Sequence, residues 1–175
     1  KFVSEMKEAG LKPILGCEIY IAPRGMNKKD FGIDNKYFHL VLLAKNLQGY
    51  KNLAKIVSIA HMEGFYYRPR IDIETLSKYT DGLIALSACL VGPISVPLLE
   101  GKYEKALETA KRYSEMFKDN FFIELQRNGM KEQEIVNEGL LKIAKELDLP
   151  IVATCDSHYL NKEDAQIQEI MWCIA

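Results

Sequence analysis

Two periodicities alternate along the chain. Short apolar runs of β type occur at Pro13–Ala22, Phe38–Ala44, Leu83–Ala88, Phe121–Leu125 and Pro150–Ala153. Between them, apolar residues recur at helical spacing. Leu53, Ile56, Val57 and Ala60 mark a helix over Leu47–Met62. Ala106, Ala110, Tyr113 and Phe117 mark a second over Lys102–Phe117, and Val136, Leu140, Ile143 and Leu147 a third over Lys131–Leu147. Asp164 to Ile174 opens a last helix. Strands alternating with helices predict an α/β fold, a parallel sheet or barrel with right-handed crossovers. The polar, glycine-bearing stretch Gly25–Lys36 reads as the mobile connection.

The same pattern bears on the ends. Lys1–Ala9 reads as a helix with Phe2, Val3 and Met6 on one side and Gly10 as its stop. No capping residue precedes it, and Trp172-Cys173-Ile174-Ala175 carries no stop signal. With no repeat, low-complexity tract or linker, residues 1–175 read as one partial domain that continues past both ends.

Composition then narrows the class. At 48% hydrophobic, 175 residues suffice for a sizeable core. With 23 basic against 24 acidic residues, no overall charge excess announces nucleic acid. Lys28-Lys29 and Arg68-Pro69-Arg70 remain as local basic patches. The four cysteines, Cys17, Cys89, Cys155 and Cys173, form no CxxC pair, which argues against a zinc knuckle or thioredoxin-type motif. No apolar run reaches membrane-spanning length and no signal peptide is recognisable, so the expected location is cytoplasmic, with reduced thiols and no membrane partner.

The candidate chemistry collects at strand ends, where α/β folds place their sites. The first strand carries Glu18, the second opens with His39, the third ends at Cys89, the fourth carries Glu124 and Gln126, and the fifth leads into Asp156 and His158. Residues two apart on an extended strand share a side, so Asp156 and His158 can aim at one point. Carboxylate, imidazole and thiolate suit zinc or another borderline divalent ion. Each has a plainer reading: an ion pair for Glu18, a core histidine for His39, a small buried hydrophobe for Cys89, a hydrogen-bond acceptor for Glu124, and a polar turn before a helix cap for Asp156 and His158.

Several blocks of the chain resemble a known family. They are Pro13-Ile14-Leu15-Gly16-Cys17-Glu18-Ile19-Tyr20, Phe38-His39-Leu40-Val41-Leu42-Leu43-Ala44-Lys45-Asn46, Glu63-Gly64-Phe65-Tyr66-Tyr67-Arg68-Pro69-Arg70-Ile71-Asp72, Gly82-Leu83-Ile84-Ala85-Leu86-Ser87-Ala88-Cys89-Leu90 and Val152-Ala153-Thr154-Cys155-Asp156-Ser157-His158-Tyr159. In this order they are similar to the PHP (polymerase and histidinol phosphatase) domain of bacterial replicative DNA polymerase III alpha subunits. The resemblance implies a distorted (β/α)7 TIM-like barrel, here incomplete with about five parallel strands. It implies up to three metal ions, Zn2+ or Mn2+, with Glu18, His39, Cys89, Asp156 and His158 as ligands and Asp156 and His158 as catalytic residues. The family's opening His-x-His and Asp-His-Gly segments are absent from this sequence, so the fragment is expected to be a crippled phosphoesterase.

In the parent protein the resemblance implies DNA replication: a metal-dependent 3′-5′ exonuclease beside a Mg2+-dependent DNA-directed DNA polymerase, with DNA and other replicase subunits as partners. Two alternatives stand beside it, a scaffold that stabilises the polymerase and docks subunits, and a free PHP phosphoesterase acting on a small phosphate ester. Arg70 is expected near the metal face, gripping phosphate or DNA, or else in an ion pair with Asp72 or Asp81. Missing strands would leave open sheet edges that favour self-association.

Overall fold

A computed structural model describes residues 1–174; Ala175 lies outside the described residues. Six strands, β1 (Gly16–Ile21), β2 (Phe38–Ala44), β3 (Arg70–Ile71), β4 (Leu83–Leu86), β5 (Phe121–Gln126) and β6 (Ile151–Thr154), form one sheet in the order β3-β1-β2-β4-β5-β6. The helices are α1 (Phe2–Glu8), α2 (Leu47–Met62), α3 (Ile73–Leu76), α4 (Ser95–Leu99), α5 (Tyr103–Phe117), α6 (Lys131–Glu146) and α7 (Ala165–Ile174). This is a mixed α/β architecture consistent with part of a (β/α) barrel.

It departs from the sequence expectation in two details. The sheet has six strands rather than about five, and β2 runs antiparallel to both β1 and β4 while the other three pairs are parallel. The reversal has a local cause. The segment between Ile21 and Phe38 forms no helix, and without a helical crossover the chain returns beside the strand it has just left. The sixth strand, β3, is two residues long, too short to show a period of two.

The connection between β1 and β2 is also better held than its composition suggests. Arg24 pairs with Asp30 at 2.9 Å, Asp34 accepts from the Asp30 N–H at 2.9 Å, and Asp72 accepts from the Met26 N–H at 3.2 Å. Asp34 and Met26 are buried.

The core lies between the sheet and three helices. Leu40, Leu42, Leu83, Ala85, Phe121 and Ile123 are fully enclosed. Against them pack Ile56 of α2, Ala106, Ala110 and Tyr113 of α5, and Val136, Leu140 and Ile143 of α6, the residues the helical spacing picks out. Asn46 caps α2 by accepting from the Gly49 N–H at 2.9 Å, worth about 1 kcal/mol. Gly49 lies so close to Gly82 that any side chain there would strike the Gly82 backbone. In contrast, α1 and α7 bury no residue, and β6 exposes Ile151. Among the described residues no helix is long and apolar enough to cross a membrane.

Candidate metal centre

The reversed β2 brings the candidate ligands together. Because β2 runs against its neighbours, its first residues lie at the end where β1 and β4 finish. His39 stands opposite Tyr20 and diagonal to Glu18, which is paired with Val41. Glu18 and Tyr20, two apart on β1, share a face, and so do Tyr37 and His39. On the other flank the chain leaves β4 through Ser87 and Ala88, bringing Cys89 to the Nδ1 of His39. The turn is braced on β2 by the His39 N–H, which donates to the Val91 carbonyl at 3.2 Å.

A carboxylate, an imidazole and a thiol therefore meet. Glu18 Oε1 lies 3.1 Å from His39 Nδ1, and Cys89 Sγ lies 3.6 Å from the same nitrogen. One ligand atom from each residue lies within 4.8 Å of the other two. His39 and Cys89 are half-buried, whereas Glu18 opens to solvent. The contacts polarise the group. Hydrogen bonding to Cys89 first, and to Glu18 second, pushes His39 up to about 10. The His39 hydrogen bond in turn holds the Glu18 carboxyl below its ordinary value, against the opposing effect of partial burial.

This donor set fits a divalent ion. The N, O and S types and their close approach match what zinc takes, and three protein ligands leave a position open for another group. To hold the ion, His39 and the Cys89 thiol would have to give up their protons while Glu18 is already ionised, which is the usual coupling of metal binding to proton release.

Asp156 and His158 are placed differently. Neither belongs to the close trio. They were expected on an extended strand, but β6 ends at Thr154 and Asp156 takes a left-handed backbone (φ 49°). The two side chains therefore lose the shared direction that a strand would give them. His158 Nδ1 instead contacts the Asp156 carbonyl oxygen at 2.8 Å. Both residues are exposed and line a cavity of about 470 Å3 with Cys155, Asn128 and Trp172.

Arg70 is a correction. It is fully buried, and its guanidinium donates to the carbonyls of Asp34 (2.5 Å), Lys28 (3.1 Å), Met26 (3.3 Å) and Gly64 (3.4 Å), with the Tyr66 ring 5.2 Å from Cζ. Its donors are committed, so it is not free to grip a phosphate. Neither is it paired with Asp72 or Asp81; Asp72 caps α3 by accepting from the Thr75 N–H at 2.9 Å.

Glu124, left open between ligand and acceptor, is a buried acceptor. It takes hydrogen bonds from the Ala88 N–H (3.0 Å), the Thr154 hydroxyl (2.5 Å) and the Gln126 side chain (3.3 Å). Ala88 has a left-handed backbone (φ 64°) and immediately precedes Cys89. Glu124 thus fixes the turn that delivers the thiol. The sequence signal for this was a carboxylate in the middle of an apolar strand, which must find donors if buried.

Reasoning from single residues also missed the aromatic side of the trio. Tyr37 stacks on His39 at 5.7 Å between centroids, and Tyr20 lies 4.5 Å from Tyr37 and 5.2 Å from His39. The spacings Glu18-x-Tyr20 and Tyr37-x-His39 were its signal.

Residues 1–128 match the family model described as "PHP domain". Glu18, His39 and Cys89 fall inside that span, and Asp156 and His158 fall beyond it. The chain is 49% identical over 175 residues to a DNA polymerase III subunit alpha of Borreliella burgdorferi, with 99% of this chain and 15% of that protein covered. It is 43% identical to the subunit of the same name from Treponema pallidum (94% of this chain, 14% of the relative) and 42% identical to that of Thermus aquaticus (99% and 14%). The chain spans about 15% of the length of these curated relatives.

Proposed function

Since this chain belongs to the PHP-domain family, we propose that it supplies the metal-dependent phosphoesterase site of a bacterial DNA polymerase III alpha subunit acting in DNA replication. The observation that carries this reading is the convergence of Glu18, His39 and Cys89. A pure scaffold has no need to bring three soft and hard donors within 4.8 Å of one another around a partly exposed point.

The reaction class is hydrolysis of a phosphodiester at a DNA 3′ end. A water oxygen forms a new bond to phosphorus, the bond to the leaving oxygen breaks, and that oxygen gains a proton. Zn2+ or Mn2+ held by Glu18, His39 and Cys89 would polarise a phosphoryl oxygen and make water more acidic. The thiolate favours zinc of the two. The chain's own residues set the geometry: Glu18 orients His39, Cys89 closes the other side, and Glu124 holds the turn beneath Cys89. Asp156 and His158 are proposed as catalytic and additional ligand groups that reach this centre from the loop after β6. Three converging donors serve one ion, whereas phosphoryl transfer commonly uses two or more, so hydrolysis by this chain is expected to be slow.

The wider context belongs to the same proposal: a cytoplasmic replicase, with DNA and other replicase subunits as partners and a Mg2+-dependent polymerase activity carried elsewhere in the parent. The test is hydrolysis of bis(p-nitrophenyl) phosphate by this chain. Slow turnover that requires added Zn2+ or Mn2+ and is lost on Glu18→Gln supports the reading. Metal binding without turnover favours the scaffold alternative. Turnover indifferent to chelator or to Glu18→Gln contradicts the proposed site.

A further inference from the structure

The surface beside the trio combines an unpaired arginine with half-exposed aromatic rings, and neither has a role in the site as described so far. Arg68 is exposed, and among the described residues its guanidinium has no ion pair and no hydrogen-bond acceptor. Its backbone is tightly set. The Tyr66 N–H donates to the Arg68 carbonyl at 3.0 Å across a turn whose middle residue, Tyr67, is left-handed (φ 58°). Pro69 follows, and then the buried Arg70. The register Tyr20↔Arg70 brings this turn alongside β1. Glu18, Tyr20 and Pro69 line one small cleft there. Arg68 therefore lies in the turn beside β1, two residues before the Tyr20↔Arg70 pair, while Arg70, its near-twin in sequence, is locked inside.

We propose that Arg68, Tyr20 and Tyr37 form a subsite for one nucleotide unit, Arg68 taking the phosphate and the tyrosine rings taking the base. The inference rests on the phosphodiester reading above and names what that site would recognise. A guanidinium offers paired donors that match a phosphate. An aromatic ring stacks on any base because every base has a π-face, at about 1–3 kcal/mol per base. The recognition is therefore indifferent to sequence, as the processing of arbitrary 3′ ends requires. The Tyr37 ring is held by His39 and Tyr20, so little ordering remains to be done when a base arrives.

The test is calorimetric binding of three probes to the intact chain: dTMP, deoxyribose 5-phosphate and inorganic phosphate. Zinc content and thermal unfolding are measured on every variant. The wild type should bind dTMP at least about fivefold more tightly than deoxyribose 5-phosphate, the low end of one base stack. Tyr37→Leu should abolish that difference and Tyr37→Phe should keep it. Arg68→Ala should weaken all three probes, with partial recovery in Arg68→Lys. Equal binding of dTMP and deoxyribose 5-phosphate by the wild type, or unchanged phosphate binding in Arg68→Ala, overturns the subsite. If zinc is retained in those variants, the metal centre survives that failure. Conversely, a wild type that discriminates dTMP but takes up no zinc supports the subsite and sinks the metal reading.

Discussion

Arg68 and Arg70 differ by two positions and have opposite fates. In sequence the pair flanks a proline symmetrically, and nothing local says which arginine faces outward. The choice is made by β3: once Arg70 pairs with Tyr20 at the edge of the sheet, the segment around Met26, Lys28 and Asp34 folds over it. That is long-range information, invisible to a local pattern. Removing the Arg70 side chain would leave several enclosed carbonyls without donors, each costing about 1–3 kcal/mol. Arg70→Ala should therefore destabilise the protein by about 3 kcal/mol or more in urea unfolding. Zinc content at low denaturant should hardly change, because none of the trio contacts this guanidinium. A loss below about 0.5 kcal/mol would show that the carbonyls are satisfied without it. Glu18, His39 and Cys89, in contrast, stood out as candidates residue by residue, because a polar metal-capable group at the end of an apolar strand is conspicuous wherever the strand lies, but their convergence depends on the strand order.

At the scale of elements, the long periodic segments were legible: α2 spans Leu47–Met62 and β2 spans Phe38–Ala44, as their spacing predicts. Strand direction was not legible, since the period of two is the same in either sense. Nor was the left-handed turn at Asp156, which breaks the extended geometry assumed for Asp156 and His158. The element that matters most to the site is the β4 turn, held by Glu124 from β5. Glu124→Gln keeps the size but replaces one acceptor oxygen with a donor facing Ala88 or Thr154. Groups that orient ligands typically contribute 10–100-fold in metal affinity. Glu124→Gln should lower zinc affinity by about that factor while leaving every ligand in place, and unchanged affinity in a competition titration would contradict the positioning role.

Asp72 supplies the pH-dependent element contact. Burial alone would raise its pKa, but hydrogen bonds from Thr75 and from the Met26 N–H outweigh it, and the net shift is downward from 3.8. A depressed carboxyl contributes stability that is fully present above its unfolded value and is lost as pH falls through its folded value. Unfolding free energy should therefore drop below about pH 4, and Asp72→Asn should remove part of that slope. An identical acid slope in Asp72→Asn would place the acid sensitivity elsewhere.

For the molecule as a whole, the order β3-β1-β2-β4-β5-β6 leaves two sheet edges; the edge strand β6 exposes Ile151, and α7 exposes Ile167, Ile170, Met171 and Trp172. Open edges and apolar faces favour pairing with a further chain. Sedimentation of this chain over a concentration series should show reversible association. A strict monomer at every concentration, melting cooperatively, would mean that the six-stranded core is self-sufficient.

The central claim is that Glu18, His39 and Cys89 hold one metal ion, and cobalt substitution tests it most directly. Titrating the reduced chain with Co2+ should give a thiolate-to-cobalt charge-transfer band that saturates at about one equivalent, as expected for a single site with one cysteine ligand. The band should vanish in Cys89→Ser, weaken sharply in His39→Ala and Glu18→Gln, and persist in Cys17→Ser and Cys155→Ser. A titration without that band, or a band that disappears with Cys155 and survives the loss of Cys89, would contradict the account.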